Sequence, residues 1–218
     1  LSLDVRELKA DLLTLNGSKI YGPKQTGILF INSGVKIEPI IYGGGQEHDL
    51  RSGTENVPGI VGLGVALKLA ATNKDKENRR LQDLQHYFVD RLSKKVKGIK
   101  VNGPAITKSK APTTKHQTQK DSLNRLPNNI NLTIDKVEGE ALMLYLDAVG
   151  VQVSTGSACT TTSQDPSHVL EAIGVERNQA YNSIRITMGK QTTKAHLDYV
   201  LSTLGILITQ LRATTSQH

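Results

Sequence analysis

Short aliphatic and β-branched runs alternate with longer segments of helical periodicity along this chain. Such alternation is typical of an α/β architecture. The runs predict seven strands, of which the first is expected to be buried: Asp11–Leu15, Gly27–Ile31, Ile37–Tyr42, Ile99–Asn102, Asn129–Ile134, Val151–Val153 and Ser183–Met188.

The helical segments predict a fold with two parts. An apolar helix begins at Val57, and its run Ile60–Ala71 is predicted to be buried, because about 12 residues broken by Lys68 are too few to span a bilayer. A second, charged amphipathic helix is predicted over Lys74–Lys97, with apolar residues at three- and four-residue spacing. Three further helices are expected: Glu138–Val149, Val169–Ile173 between a Ser167 cap and Gly174, and a helix capped by Thr192 that reaches about Leu211.

The pattern predicts a domain boundary near residue 72, where the apolar helix gives way to charge, and therefore domains over residues 1–72 and 73–218. Residues 104–125 contain few apolar side chains and many Lys, Thr and Gln residues. They are predicted to form a flexible insertion, because they have too little apolar surface to order themselves.

Composition narrows the classes of function. A formal charge of +7 favours acidic partners, but 4% aromatic residues, no tryptophan and no recognisable motif argue against nucleic-acid binding. No membrane segment is expected. One cysteine and no secretory signal indicate a reducing, cytoplasmic setting. Because the chain begins with Leu1, we expect it to be part of a longer protein.

Cys159 is the only cysteine and lies in the polar stretch Ser154–His168, rich in Gly, Ser and Thr. One thiol cannot form an intramolecular disulfide, and it supplies one ligand where a metal site needs several. The histidines have no metal-binding spacing, so no metal site is expected. The pattern predicts a reactive thiol on a mobile segment.

Lys19 follows a predicted strand and lies among the small residues Gly17, Ser18 and Gly22. Such residues let a backbone approach a ligand closely, and Asn16 and Ser18 could hydrogen-bond a phosphate. An amine held beside an apolar sheet loses water, which favours its neutral form and Schiff-base chemistry. A lysine in a solvated loop is the alternative.

Four ordered motifs together resemble the NifS/IscS-type cysteine desulfurases, of the class V aminotransferase family. They are DLLTLNGSKIYGPK at 11–24, GGGQEHDLRSGTEN at 43–56, STGSACT at 154–160 with DPSHVL at 165–170, and NSIRITMG at 182–189. The resemblance covers nearly the whole chain outside the insertion. It implies the α/β fold of the type I pyridoxal-phosphate (PLP) transferases, here the end of the large domain followed by the α+β small domain.

The resemblance also implies roles for single residues. Lys19 would bind PLP covalently and move the proton at the substrate Cα, with Asn16 and Ser18 at the cofactor phosphate. Cys159 would take the sulfur of L-cysteine as a persulfide, leaving L-alanine, and pass it to an acceptor protein for iron–sulfur cluster assembly or tRNA thiolation. Arg185 would bind the substrate carboxylate; from the residues alone, a surface ion pair is the alternative. Thr54 would reach the PLP phosphate of a neighbouring subunit, which implies a homodimer; unaided, Thr54 resembles a helix N-cap.

The chain also departs from the family pattern. Where many relatives have histidine and serine before the lysine, it has Ser18 and Asn16, and the acidic partner of the pyridine nitrogen normally precedes the lysine by a long stretch. We therefore expect a desulfurase that is incomplete as this chain. The alternatives are a selenocysteine lyase or class V aminotransferase, and a non-catalytic basic interaction module.

Overall fold

The computed structural model describes residues 3–106, 125–155 and 166–215. The chain divides into two compact units, Leu1–Lys76 and Glu77–His218. This division falls inside one helix, α1 (Val57–Lys95), four residues beyond the position near residue 72 that the change in composition predicts.

The first unit contains an antiparallel ribbon of β1 (Leu12–Asn16) and β2 (Gly27–Ile31), paired from Leu12 opposite Ile31 to Asn16 opposite Gly27. The expectation that β1 is buried is wrong: its residues alternate between exposed and half-buried, and β2 is its one partner among the described residues. The predicted strand over residues 37–42 is also wrong, because this segment pairs with no described strand and Pro39 has no N–H to donate.

Helix α1 is continuous over 39 residues, so the two helices predicted here are one. Neither glycine nor proline occurs between Val65 and Lys95, and nothing therefore interrupts the backbone hydrogen bonds. The prediction of a buried run at 60–71 is half wrong. Leu63 and Ala66 are buried, whereas Ile60, Val61, Val65 and Leu69 are exposed.

The second unit is built on a three-stranded antiparallel sheet in the order β3 (Ile99–Val101), β4 (Asn129–Ile134), β5 (Ser183–Thr187). Apolar residues alternate along the central strand β4, as expected for a strand with one face packed on the core. They are fully buried together with side chains from α1, among which are Phe88 and Leu92. The predicted strand at 151–153 is reduced to a single β-bridge between Ser154 and Arg185.

The described residues of the second unit also form four helices after α1: α2 (Gly139–Ala148), α3 (His168–Ala172), α4 (Arg177–Tyr181) and α5 (Lys194–Thr215). Helix α4 was not predicted, because five residues are too few to show a helical period. Helix α5 is capped by Thr193 rather than by the predicted Thr192: the His196 N–H donates to Thr193 Oγ1 at 3.3 Å, while Thr192 Oγ1 accepts from the Gly189 N–H at 2.9 Å.

Arg125 joins the two ends of the predicted insertion. Its Nη1 donates to the Pro104 carbonyl at 2.5 Å, and Nη2 lies 3.4 Å from the carbonyls of Asn102 and Asn129. Partial burial lowers the pKa of the Arg125 guanidinium from its ordinary value. Residues 107–124, and with them the predicted flexibility, lie outside the described residues.

Candidate active site

Lys19 lies in a 3-10 turn, Gly17–Ile20, at the end of the β1–β2 ribbon. Asn16 caps the turn, since its Oδ1 accepts from the Ser18 N–H at 3.0 Å and from the Ser18 hydroxyl at 2.8 Å. Tyr21 closes it in the left-handed region at φ 61°, with its N–H donating to the Gly17 carbonyl. The local sequence therefore holds the backbone of Lys19 from both sides.

Gly17 is buried beneath this turn, and a Cβ there would collide with Thr26 Oγ1 and would lie 3.0 Å from the Pro23 carbonyl oxygen. Thr26 itself donates to that carbonyl at 2.7 Å. Glycine is thus required at position 17 by the contacts of this chain alone. Its absence of a side chain lets the 3-10 turn close onto the segment that returns to β2.

The Lys19 side chain is exposed. The expectation of an amine desolvated beside an apolar sheet is therefore wrong for the described chain. The sheet at this turn is a ribbon of two strands, and it does not bury the Lys19 side chain. Within the described ranges, no hydrogen bond or ion pair involves the Lys19 side chain. Its amine is available to an external group.

Thr54 follows a loop that closes on itself. Buried Ser52 donates through Oγ to the Gly44 carbonyl at 2.8 Å, and the Gly53 N–H donates to Gln46 Oε1 at 3.1 Å. Thr54 is exposed and does not cap α1: the cap is Asn56, whose Oδ1 accepts from the Gly59 N–H at 3.1 Å. The alternative interpretation of Thr54 as an N-cap is wrong, and its hydroxyl is left for another partner.

Arg185 lies in the middle of β5, opposite Asn131 of β4, and is half-buried. On its other side the backbone pairs with Ser154: the Arg185 N–H donates to the Ser154 carbonyl at 2.6 Å, and the Ser154 N–H donates to the Arg185 carbonyl at 3.2 Å. Among the described residues no ion pair involves the Arg185 guanidinium, so the alternative of a surface ion pair finds no support.

Cys159 lies outside the described residues, which end at residue 155 before it and resume at residue 166 after it. The chain leaves the sheet at Ser154 and re-enters regular structure at α3, whose N-terminal residue is the exposed His168. Ser167 occupies the N-cap position of α3 without a side-chain hydrogen bond, and Gly174 follows the helix at φ 82°, as predicted.

The predicted site residues therefore fall into two groups. Asn16, Ser18 and Lys19 share one turn of the first unit. Thr54 belongs to the same unit but to a separate loop, and Arg185 belongs to the second unit. The described residues contain no group of His, Cys, Asp and Glu side chains that could hold a metal ion. They also contain no helix with the length and apolar character needed to cross a membrane.

Sequence patterns missed the pairing of Ser154 with Arg185. A single bridged residue leaves no periodic pattern in the sequence, so the pairing becomes visible only in the structure, where the two motifs lie side by side. Asn56 as the cap of α1 was missed although it has a signal: an Asn that directly precedes an apolar helical run.

The profile of the class V aminotransferases matches residues 1–200. The chain belongs to the class V aminotransferase family. Members of this family and its cysteine desulfurases depend on PLP, so the predicted cofactor class and fold are confirmed.

Among curated proteins, this class V chain is 46% identical over 210 residues to the cysteine desulfurase IscS of Dictyoglomus turgidum and 42% identical to that of Methanosarcina thermophila. Each alignment covers 96% of the chain but 49% and 48% of the relative. The chain thus spans about half the length of these relatives. The predicted resemblance to cysteine desulfurases is confirmed.

Solved structures agree. A NifS-like protein from Rickettsia africae superposes with a TM-score of 0.76 at 28% identity, over 96% of this chain and 50% of that one. A second NifS-like protein gives a TM-score of 0.74 at 32% identity, over 94% and 48% of the two chains. The class V fold therefore extends through both units.

Three described side chains of this chain, those of Lys19, Asn16 and Thr54, have the chemistry needed to bind the aldehyde and the phosphate of PLP. The exposed Lys19 amine can bond an aldehyde. The amide oxygen of Asn16 accepts hydrogen bonds from Ser18, and within the described residues the amide N–H groups of Asn16 have no acceptor. They remain as donors for a phosphate, as does the exposed Thr54 hydroxyl.

Proposed function

We propose that this chain supplies the lysine, the sulfur-carrying cysteine and the substrate-binding arginine of a PLP-dependent cysteine desulfurase. The reaction removes sulfur from L-cysteine, leaves L-alanine and charges Cys159 as a persulfide. The observation that supports it best is the Ser154–Arg185 bridge, because it starts the cysteine segment on the strand of the arginine that would hold the substrate.

Arg185 would orient the substrate by donating two parallel N–H hydrogen bonds from its planar guanidinium to the substrate carboxylate. Lys19 would bind the cofactor and then take and return the proton at the substrate Cα, from a backbone fixed by the Asn16 cap. The Asn16 amide of one subunit and the Thr54 hydroxyl of its neighbour would donate to the cofactor phosphate, and Ser18 would join them by turning its hydroxyl from Asn16 Oδ1 to the phosphate. When bound, PLP withdraws electrons from the Cα of an amino acid.

Cys159 would act as the nucleophile. Its thiolate forms an S–S bond with the substrate sulfur, and the Cβ–S bond breaks with its electron pair going to the carbon fragment. That fragment takes up protons and leaves as alanine, while the second sulfur stays on Cys159. The two sulfur atoms of the new S–S bond are oxidised by the same number of electrons that reduce the substrate Cβ, so no external oxidant is needed. A thiolate on a polar segment has the nucleophilicity that this step requires.

Three further assignments belong to the same proposal. Thr54 serves the site of a neighbouring subunit, so the active form is a homodimer. The persulfide passes to an acceptor protein, an iron–sulfur scaffold or a tRNA-thiolation protein. The setting is the cytoplasm, in which a lone cysteine remains a thiol.

The test uses the 218-residue chain and, as complement, the half of the Dictyoglomus turgidum cysteine desulfurase that has no match in it. With PLP and L-cysteine, we expect the mixture to release alanine and add one sulfur atom to Cys159, detected by mass spectrometry. The chain alone should release little alanine, and rapid turnover by it would contradict the proposed incompleteness.

Cys159→Ser separates the desulfurase from a transaminase of the same family. Transfer of an amino group needs no thiol, so that activity would survive the substitution, whereas sulfur transfer would cease. Alanine release from L-cysteine at the native rate by the Cys159→Ser protein would overturn the proposed function.

A further inference from the structure

Three buried polar side chains form a row across the sheet of the second unit. Asn102, Thr133 and Ser183 are exposed by only 3, 7 and 0%. Asn102 Nδ2 lies 2.8 Å from Thr133 Oγ1, which in turn lies 2.8 Å from Ser183 Oγ. Apolar side chains of similar shape could fill such a space at nearly equal stability, so this polar row indicates a further role.

The Gln179 carbonyl determines the direction of the hydrogen bonds in the polar row. Ser183 Oγ donates to it at 2.9 Å, so the Ser183 oxygen accepts from the Thr133 hydroxyl. Because the Thr133 proton is directed to Ser183, Thr133 Oγ1 accepts from Asn102 Nδ2. The amide nitrogen of Asn102 therefore faces β4, and its second N–H donates to Asn131 Oδ1 at 2.6 Å.

The orientation of the Asn131 amide follows from this last hydrogen bond. Its oxygen is held by Asn102, and within the described residues its two N–H hydrogens donate to no acceptor. Asn131 is half-buried and lies directly opposite Arg185 in the β4–β5 pair. Directly opposed residues of antiparallel strands have their side chains on the same face, with Cβ atoms about 4.5–5.5 Å apart. The Asn131 amide and the Arg185 guanidinium are therefore neighbours.

Together these two side chains offer hydrogen-bond donors and no free acceptor. A guanidinium has donors only, and the Asn131 oxygen already accepts from Asn102. A carboxylate has two oxygens in one plane and can accept from both side chains at once.

We propose that Asn131 and Arg185 form one carboxylate site, in which the polar row holds the Asn131 amide with its N–H groups towards the ligand. The inference rests on the proposed function for the identity of that ligand, the carboxylate of L-cysteine, and adds Asn131 as a second binding residue. A neutral donor beside the guanidinium fixes the angle at which the carboxylate binds, which one flexible arginine does not.

The first experiment observes both side chains by NMR, without PLP and without turnover. The isotope-labelled 218-residue chain is titrated with acetate, and with chloride as the matched anion. We expect the side-chain N–H signals of Asn131 and Arg185 to shift along one saturating curve, with a dissociation constant in the millimolar range. Those of Asn102 should stay in place, because they already donate within the chain. No saturating response at Asn131 would overturn the proposal, as would equal shifts with chloride.

The second experiment uses Asn131→Asp in the mixture with the unmatched half of the Dictyoglomus turgidum cysteine desulfurase. Aspartate can still accept from Asn102, but it replaces the donor by a negative charge beside Arg185. We expect KM for L-cysteine to rise roughly 10-fold or more and kcat to change by less than about threefold. Asn182→Asp is the matched control, because it adds the same charge directly before β5 and not opposite Arg185. It should leave KM within about twofold.

The two experiments separate this proposal from the proposed function. A KM that rises for Arg185→Lys but not for Asn131→Asp would overturn the proposal and leave the proposed function standing. Acetate binding at both side chains, in a chain whose mixture releases no alanine, would leave the proposal standing and count against the proposed function alone. The acetate titration uses the native chain, so it decides the proposal even if circular dichroism shows that Asn131→Asp does not fold.

Discussion

Ser154 and Arg185 exchange two backbone hydrogen bonds, of 2.6 and 3.2 Å, along the outer edge of β5. Because these bonds use main-chain atoms only, the guanidinium of Arg185 is left for a ligand while its backbone is held by Ser154 and lies opposite Asn131 of β4. The arrangement separates the role of the residue in the sheet from its proposed role in substrate binding.

Arg185→Lys is expected to impair substrate binding without unfolding the second unit. In the mixture of the two halves we expect KM for L-cysteine to rise roughly 10- to 100-fold, because lysine cannot offer two parallel N–H donors to a carboxylate. Arg177→Lys on α4, where the arginine lies 3.6 Å from Glu171 in an exposed ion pair, is the control and should leave KM unchanged. Steady-state kinetics with both variants decide the matter, and equal KM values would remove Arg185 from the proposed site.

Gly17→Ala is expected to distort the turn that carries Lys19. The added methyl group collides with Thr26 Oγ1 and lies 3.0 Å from the Pro23 carbonyl oxygen, at a cost of about 1–3 kcal/mol in unfolding free energy. Gly34→Ala is the matched control, because a Cβ at Gly34 meets nothing within 4 Å. Thermal unfolding measures the cost, and PLP absorbance in the two-half mixture measures the loss of cofactor binding. A Gly17→Ala chain as stable as Gly34→Ala would contradict the packing described.

The Glu77–Arg80 pair is expected to make stability depend on pH in the acid range. Arg80 donates to the two carboxylate oxygens of Glu77 at 2.7 and 2.8 Å, and these hydrogen bonds lower the pKa of Glu77 from its ordinary value near 4.5. A carboxyl group whose pKa is lowered in the folded state stabilises the fold above its unfolded pKa, and this contribution disappears as the pH falls through the folded pKa.

Glu77→Gln should therefore be less stable than the native chain near pH 7, and the difference should shrink as the pH falls below about 4.5. Urea unfolding at a series of pH values measures it. Arg80 also donates to the carbonyls of Thr192 at 2.7 Å and Gly189 at 2.9 Å, so its position should survive the substitution. A difference that grows towards low pH would show that the sign assigned to Glu77 is wrong.

Replacing residues 107–124 by a short Gly/Ser linker is expected to preserve the second unit. Arg125 already holds the flanking backbone through the carbonyls of Pro104, Asn102 and Asn129, and shortening a loop changes its closure entropy by only about 0.6 kcal/mol per halving. Arg125→Ala should instead lower the unfolding free energy by about 1–3 kcal/mol, because the carbonyls of Pro104 and Asn102 lose a donor, whereas the Asn129 carbonyl keeps the one from Gln85 at 2.9 Å. Urea midpoints compare the two variants, and the reverse order of stability would contradict this role of Arg125.

Sequence patterns predicted the elements that carry their own period or punctuation. Strands β2 and β4 begin and end at the predicted residues, and Gly174 follows α3 as expected. The family was identified from four short motifs. Each motif is recognisable because its chemistry needs particular residue types at a fixed spacing. The family was confirmed by the profile match over residues 1–200 and by 46% identity to a cysteine desulfurase over 210 residues.

The failures share a different cause. A strand at 37–42 and a buried helix at 60–71 were predicted from apolar content. Apolar content indicates that a segment is buried in the whole protein, but it does not show that the residues of this chain are the ones that bury it. Ile40 is exposed by 92% and Val61 by 61%. The assigned roles of Lys19, Asn16, Ser18, Thr54, Arg185 and Cys159 stay predictions, because roles depend on a substrate that no local pattern describes.

The bare apolar surface of α1 also bears on how the chain would fare in a cell. Molecular chaperones and proteases select polypeptides that leave such patches in water. Whatever covers this surface in the whole protein therefore also protects the chain from both. Exposed side chains such as Ile60, Val61 and Val65 would thereby make the lifetime of the chain depend on its cover.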